Sequence, residues 1–406
     1  MVEVHILKLL AIFFVIVVVL TAKRPMHQAI LSGIFATALL YQINPLESIK
    51  LIAVVLQDWN AMSIVLVLYL ITLLQRMLEK RSQIKLAQKD LDNIFHNRRV
   101  NASLAPMFIG LLPSAAAMIL CSEIVKTATQ GHLNKKEQAF VSSWFRHIPE
   151  STLPTYSGVL LMSNLSGVSL PDFILCMIVP VIFLVLLGYY PYIHKLPKET
   201  GSVYYEQSKT KNFIGLIKHL WTLLGILALI LACGLRVEVS ILLIILIAVF
   251  VYAFSWSEIK PMFVSAIEKR MLLSTFFILV FKEFVAFSGA INALPEFFSN
   301  LPIPSYLVFA LLFFVGGVIS GSNGIIALGT TMAFAVVPNA GVPLMMLLMC
   351  MCHAASLVSP THVCIAVTTE YFGISFGELV QKTLPASLLF CILMVVYYNL
   401  LLLFML

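Results

Sequence analysis

Long apolar runs make up most of the chain, and polar residues gather in short clusters between them instead of alternating with them. A run of ~20 apolar residues predicts a helix that crosses a bilayer, because a helix rises about 1.5 Å per residue and the hydrocarbon is about 30 Å thick. Crossings are expected near 4–22, 27–43, 61–78, 139–166, 172–190, 214–234, 237–255, 271–290, 343–372 and 383–405. The first follows Glu3 and a lone Lys8 and has Lys23-Arg24 where a small-residue cleavage site would stand, so it is not expected to be a cleaved leader.

Two further runs, 104–124 and 305–335, are apolar enough to enter the membrane, yet the loops flanking each belong on one side of it. A re-entrant helical hairpin resolves the conflict, with tips at Leu112-Pro113-Ser114 and at Ser320-Gly321-Ser322-Asn323-Gly324. Arms of about 8–10 residues reach about 12–15 Å, near the midplane. Non-helical backbone at that depth needs protein or a watery cavity around it.

The order of segments then repeats. Residues 1–205 contain the hairpin 104–124 and a broken crossing 139–166, and residues 206–406 contain the hairpin 305–335 and a broken crossing 343–372. Each half has five crossings, an odd number, so the second must sit upside down relative to the first. The expected fold is an all-α integral membrane protein of two inverted repeats, each with five crossings, one of them broken, plus a re-entrant helical hairpin. Residues 79–100 set Ile84, Leu86, Leu91, Ile94 and Phe95 among cations, which predicts an interfacial helix. Its counterpart, Ile291 to Asn300, has Leu294, Phe297 and Phe298 and no Lys or Arg.

Composition agrees with the pattern. The chain of 406 residues is 60% hydrophobic and 11% charged, far below the charged share of about a quarter in soluble domains, and its mean hydropathy is +0.99. Alternating the crossings puts 20 of the 26 Lys and Arg on one side: Lys23, Arg24, seven from Arg76 to Arg99, Lys126, Lys135, Lys136, Lys195, Lys198, Lys209, Lys211, Lys260, Lys269, Arg270 and Lys382. The other side receives Lys8, Lys50 and Arg236, while Arg146, Lys218 and Lys282 lie in or at the ends of crossings. By the positive-inside rule both termini are expected outside the cytoplasm. The net charge of +7 is thus a topology signal, and no nucleic-acid partner is expected. Of seven cysteines only Cys350 and Cys352 are closely spaced, in no familiar zinc pattern, so no metal site is expected. No phosphate-binding Gly-x4-Gly-Lys-[Ser/Thr] motif occurs, which argues against ATP-driven pumping.

The breaks carry the candidate chemistry. Proline cannot continue a helix but starts one well, so Pro113, Pro154, Pro360 and the turn before Asn323 are expected to begin half-helices, Ser359 serving as a cap. Helix starts converging at the midplane favour an anion, and the ends of the preceding half-helices offer carbonyls to Na⁺. Candidate substrate and ion ligands are Pro113, Ser114, Ser151, Thr152, Pro154, Thr155, Ser320, Ser322, Asn323, Ser359, Pro360 and Thr361. The hydroxyls could equally repair backbone bonds freed by the breaks. Ionisable residues in apolar segments are costly to insert, which marks Glu150, His147, His353, His362, Lys282 and Glu283 as proton-coupling candidates. Arg146 and Glu150, four residues apart, either pair structurally or leave Glu150 to carry a proton. Neighbours Lys282 and Glu283 point apart on a helix, so at least one is expected to face a partner or a cavity.

The repeat order, Ser320-Gly-Ser-Asn-Gly324 at a tip and Ser359-Pro-Thr-His362 at a break resemble the ion-transporter superfamily of dicarboxylate, citrate and arsenite carriers and some Na⁺/H⁺ antiporters. Within it the chain is similar to a prokaryotic membrane family catalogued only as a domain of unknown function. The resemblance spans essentially the whole chain. It implies a multi-pass protein of the prokaryotic cytoplasmic membrane and a homodimer working by an elevator motion. Dicarboxylate members carry Ser-Asn-Thr in both hairpins for Na⁺ and carboxylate. Here the second tip has Ser322-Asn323-Gly324 and the first has Pro113-Ser114-Ala115, without Asn. The expected function is secondary active transport of a small anion, a carboxylate or another oxyanion, with the lipid bilayer as the other partner and no cofactor beyond a coupling Na⁺ or H⁺. Cation/proton antiport is the alternative, favoured by Glu150 and the histidines. An intramembrane enzyme would need Ser359 or Ser322 activated by His353 or His362, and no third orienting acid stands near; no enzymatic activity is expected.

Overall fold

The structure, a computed structural model, describes residues 2–22, 24–83, 85–87, 89–90, 97–111, 115–198, 209–300 and 302–405. Leu112, Pro113 and Ser114 of the first expected tip lie outside the described residues, as do Ile84, Leu91, Ile94 and Phe95 of the connector.

Among the described residues the regular structure is helical. α1 (Val2–Thr21), α2 (Met26–Leu40), α3 (Pro45–Gln57) and α4 (Trp59–Lys80) precede an arm pair, α5 (Arg98–Ile109) and α6 (Ala115–Thr129). α7 (Lys135–His147) runs into a 3-10 turn (Ile148–Ser151), followed by α8 (Ser157–Ser166), α9 (Leu170–Cys176) and α10 (Ile178–Tyr192). The second series is α11 (Lys209–Leu231), α12 (Val237–Val251), α13 (Trp256–Ser265) and α14 (Lys269–Phe287), then a 3-10 turn (Ala290–Ala293) and α15 (Leu294–Ser299). The arm pair α16 (Ser305–Ser320) and α17 (Ser322–Val336), α18 (Val342–Ser356), α19 (Val363–Phe372) and α20 (Phe376–Met405) complete it.

Among the described residues five stretches are long and apolar enough to cross a membrane unaided, in α1, α4, α10, α11 and α20, and two bent pairs, α8 with α9 and α14 with the helix after it, raise the number to seven if each is one span. α2, α12, α16, α17, α18 and α19 are shorter apolar helices. The chain is therefore a multi-pass membrane protein. The expected crossing 139–166 is divided into α7, the 3-10 turn and α8, and 343–372 into α18 and α19. The intervals 44–60 and 256–270, for which no element was expected, hold α3 and α13. Asn44 accepts from the Glu47 amide at 2.8 Å with Pro45 in the first turn, and Glu258 accepts from the Ser255 amide at 3.0 Å. These are ordinary start signals, with Leu51 and Val55 forming the buried face of α3.

Packing sorts the helices into two groups. α2 lies on α14 and α1, and α4 on α12 and α14, so α1–α4 and α11–α14 pack mainly with one another. α6 and α7 lie on α19, α8 on α17, and α20 on α7 and α18, which makes a second group of α5–α10 with α16–α20. Charged side chains pin the first group at both ends. Arg81 donates to both Glu258 oxygens at 2.9 and 3.1 Å, and Arg76 reaches Glu268 at 3.3 Å. At the opposite end Glu238 accepts from Trp59 Nε1 at 3.3 Å and pairs with Arg236 at 2.6 Å. The second group has its own polar clasp, Lys136 to Glu378 at 2.9 Å.

Candidate functional site

Both broken segments meet in the second group. α7 ends where Pro149 removes an amide and the chain tightens into the 3-10 turn. Arg146, 2% exposed, ends α7 and donates to Glu150 Oε2 at 2.7 Å, so of the two readings open for Glu150 the pair is formed. A buried pair of this kind is held by geometry and by hydrogen bonds to the remaining atoms, since desolvating both charges is costly. Beside it, Gly110 at the end of α5 packs so closely that a Cβ there would sit 2.2 Å from the Arg146 carbonyl oxygen. The Tyr156 hydroxyl, from just past the break, donates to the Gly110 carbonyl. The first arm pair and the first break are thereby locked together.

The second break brings imidazoles to the first. His147 Nε2 is 3.0 Å from His362 Nε2, although 215 residues separate them, and Ser151 Oγ is 3.0 Å from His353 Nδ1. Glu150 stands 3.8 Å from His147 Nε2 and 4.0 Å from His362 Nε2. His353 Nε2 is buried and has no hydrogen-bond partner.

Gly321 turns the second arm pair with φ +78° and ψ 157°, a conformation open essentially to glycine alone. α17 then starts at Ser322, as expected, with its leading amides at the tip. Ser322 Oγ donates to the Cys352 carbonyl at 3.1 Å and Asn323 Nδ2 to Ser157 Oγ at 3.2 Å. The expected starts at Pro154 and Pro360 are corrected. α8 begins at Ser157, three residues after Pro154, and α19 at Val363, three after Pro360. Both prolines sit in turns; Ser359 Oγ donates to the Val318 carbonyl at 2.7 Å, lies 2.8 Å from Thr361 Oγ1 and accepts from the Thr361 amide at 3.3 Å, so it closes the turn ahead of α19 and does not cap that helix. His362 is the capping position, without a side-chain cap.

These elements enclose a cavity of about 310 Å³ bounded by Glu150, Ser151, Ser320, Ser322, Asn323, Thr361, His353 and His362. Pro154, Thr152, Thr155, Ser359 and Pro360 lie in the breaks without lining it, and Ser114 and Pro113 are outside the described residues. Met26, Ser157 and Asn323 also border a second cavity of about 530 Å³ that includes Arg24 and Arg270 and lies between the two helix groups. Lys282 is elsewhere: it borders a third cavity of about 620 Å³ with Asp58, Arg236 and Glu238. One of the pair Lys282-Glu283 thus faces a cavity, but not the one at the breaks. The sequence reasoning missed Tyr156, Ser157 and Gly158 as part of the site. Their signal was position alone, directly after Pro154-Thr155.

His147, His362 and Cys364 bring ligand atoms within 4.8 Å of one another. The serine–histidine pairs an enzyme would need, Ser322 or Ser359 with His353 or His362, are not made; both hydroxyls donate to backbone carbonyls instead.

No curated protein matches the chain at a significant level. Among solved structures, the Alcanivorax borkumensis YdaH transporter, whose crystal structure is described as revealing an unusual topology, is similar over 89% of this chain and 90% of its own, with a TM-score of 0.63 and 14% identity. At that identity the likeness is one of fold alone. The model of the family described as "Protein of unknown function (DUF401)" matches residues 6–401, and the chain belongs to that family.

Proposed function

We propose that the chain is an ion-coupled secondary transporter of a small anion, a carboxylate or another oxyanion. The observation that carries this is the 310 Å³ cavity bounded by both breaks and by the tip of the second arm pair. It joins the N-terminus of α17 and the Asn323 amide, neutral donors suited to an anion, with the hydroxyls of Ser151, Ser320, Ser322 and Thr361 around them. Glu150 does not spoil that potential, because Arg146 holds and neutralises it. The same pairing weighs against cation/proton antiport through Glu150. Arg24 and Arg270 in the adjoining cavity would gather anions from solution.

Two inverted repeats, 1–205 and 206–406, are part of this proposal. The contacts support it in pairs: α2 on α14 matches α12 on α4, and α6 on α19 matches α17 on α8. The orientation is part of the proposal as well: a cytoplasmic side rich in Lys and Arg, with both termini outside the prokaryotic cytoplasmic membrane, rests on the distribution of cations along the sequence. Cavities on the seam between the helix groups, at the Arg24 end and at the Arg236 end, suit an elevator in which α5–α10 and α16–α20 slide against α1–α4 and α11–α14 of a homodimer.

The test is flux in proteoliposomes across a panel of carboxylates, phosphate, sulfate and arsenite, each with and without Na⁺ and a pH gradient. Saturable uptake of at least one, lost on substituting Asn323, is expected. Transport of Na⁺ against H⁺ with no anion dependence would sink the anion assignment.

A further inference from the structure

The contact between the two breaks defines a chemical state. His147 Nδ1 contacts the Ser143 carbonyl oxygen, which only accepts, so Nδ1 carries hydrogen. In the neutral ring Nε2 is then a lone pair. His362 Nε2, 3.0 Å away, must therefore donate to it. One added proton fits this arrangement: with His362 charged at both nitrogens, or with the Nε2 hydrogen passed to His147, a single hydrogen still lies between the two rings. A second does not fit, because two N–H groups would face each other at 3.0 Å. The pair has room for one proton.

Burial of the two rings opposes that proton, and Glu150 supplies the counter-charge for it. Glu150 is within 3.8 and 4.0 Å of the two Nε2 atoms and is itself fixed by Arg146 at 2.7 Å, so it remains the counter-charge while the imidazoles titrate. The other titratable groups facing the pair are Arg146 on α7, His353 on α18 and Cys364 on α19. Arg146 opposes protonation and Glu150 supports it. The charged residues further along the packed helices, Glu123, Lys126 and Glu370, are exposed and lie away from the pair. Because His362 borders the cavity, a charge gained there adds to its affinity for an anion.

We propose that His147 and His362 form a one-proton binding site bridging the two breaks and that this proton is the coupling ion, taken up together with the anion in an H⁺-coupled symport. The symport half rests on the anion-transporter proposal above; the proton site stands without it.

The full-length protein, labelled with ¹⁵N-histidine and reconstituted in lipid bilayers, is titrated by solid-state NMR, with His147→Gln and His362→Gln assigning the signals. Expected are a through-hydrogen-bond coupling between two Nε2 nuclei, uptake of a single proton with both rings changing together, and loss of both features in either variant. Glu150→Gln is expected to move the transition to lower pH without removing it. Independent titration of the two rings, no Nε2–Nε2 coupling, or disappearance of the proton in Glu150→Gln overturns the site. If a variant fails to fold, the wild-type coupling still decides.

In a second arm, proton movement is recorded with a pH dye in proteoliposomes on adding succinate or phosphate. Movement accompanying a transported probe and lost in His362→Gln supports symport, and transport without proton movement overturns it. If neither probe moves, the anion proposal fails for these substrates while the NMR result stands separately.

Discussion

The two breaks fall at the same place in the order of helices, yet they are built from unlike chemistry. The first carries Arg146, His147 and Glu150 within one turn and is sealed by Gly110 and Tyr156. The second has no Asp, Glu, Lys or Arg from Val342 to Thr369 and holds itself with a bond from the Ser359 hydroxyl to the Val318 carbonyl and a hydroxyl contact between Ser359 and Thr361. The first break contributes charge and rigidity, and the second contributes neutral donors and an imidazole. Two breaks at matching places in the order of helices thus differ in character, one charged and the other neutral.

The sharpest way to break that contrast is at Arg146. Arg146→Gln leaves Glu150 without its buried counter-charge, and a loss of about 3–5 kcal/mol is expected, read as a collapse of the thermal melt in detergent. Adding Glu150→Gln to it should restore most of the loss; a double variant as unstable as the single would show that the pair is not what holds the first break. Gly110→Ala comes next, at about 2–3 kcal/mol, since its Cβ meets backbone that cannot rotate away.

At the second tip the effects should be smaller. Gly321→Ala is expected to cost about 1–2 kcal/mol through backbone strain. An unchanged melt would mean that the turn relaxes. Asn323→Ala should alter the melt by less than about 1 kcal/mol, as expected for an exposed side chain with one bond, and should still depress uptake. Full uptake by folded Asn323→Ala protein would remove it from the site.

The smallest effect is expected at a reference point outside both breaks. The hydrogen bonds from Arg81, joined by the Ser255 amide, hold the Glu258 carboxyl down to about 2 from its ordinary 4.5. A depressed acid contributes stability above its unfolded value and loses it as pH falls through the folded one, so this clasp should weaken only between about 4.5 and about 2. The acid limb of a melting profile, compared with that of Glu258→Gln, checks it.

Much of this was legible in the sequence wherever the signal is local. Apolar run length gave the positions of the long helices, and the spacing of Arg146 and Glu150 gave their pairing as one of two outcomes. Gly321 and Ser322 marked the second tip and the start of α17. The contacts of His147 with His362 and of Ser151 with His353 were not legible, because each joins residues about 200 apart through the packing of α18 and α19 on the first break. The helix starts at Pro154 and Pro360 were misplaced for a different reason: proline is as compatible with a turn ahead of a helix as with its first turn, and the Ser359 oxygen accepts from the Thr361 amide, before α19 begins. α3 and α13 were overlooked although Asn44-Pro45-Leu-Glu47 and Ser255-Trp-Ser-Glu258 announce them, since a search tuned to membrane length passes over short amphipathic helices.

α2 and α12 are fifteen residues long, about 22 Å of helix, and they present Leu39 at 79% exposure and Phe250 at 82%. A bilayer whose hydrocarbon measures about 30 Å must pinch toward such short helices or tilt them. The surrounding lipid then stores elastic energy next to the seam along which the two helix groups are proposed to slide. Acyl-chain length becomes a setting on the transport cycle, and thin bilayers should run it under a different bias from thick ones.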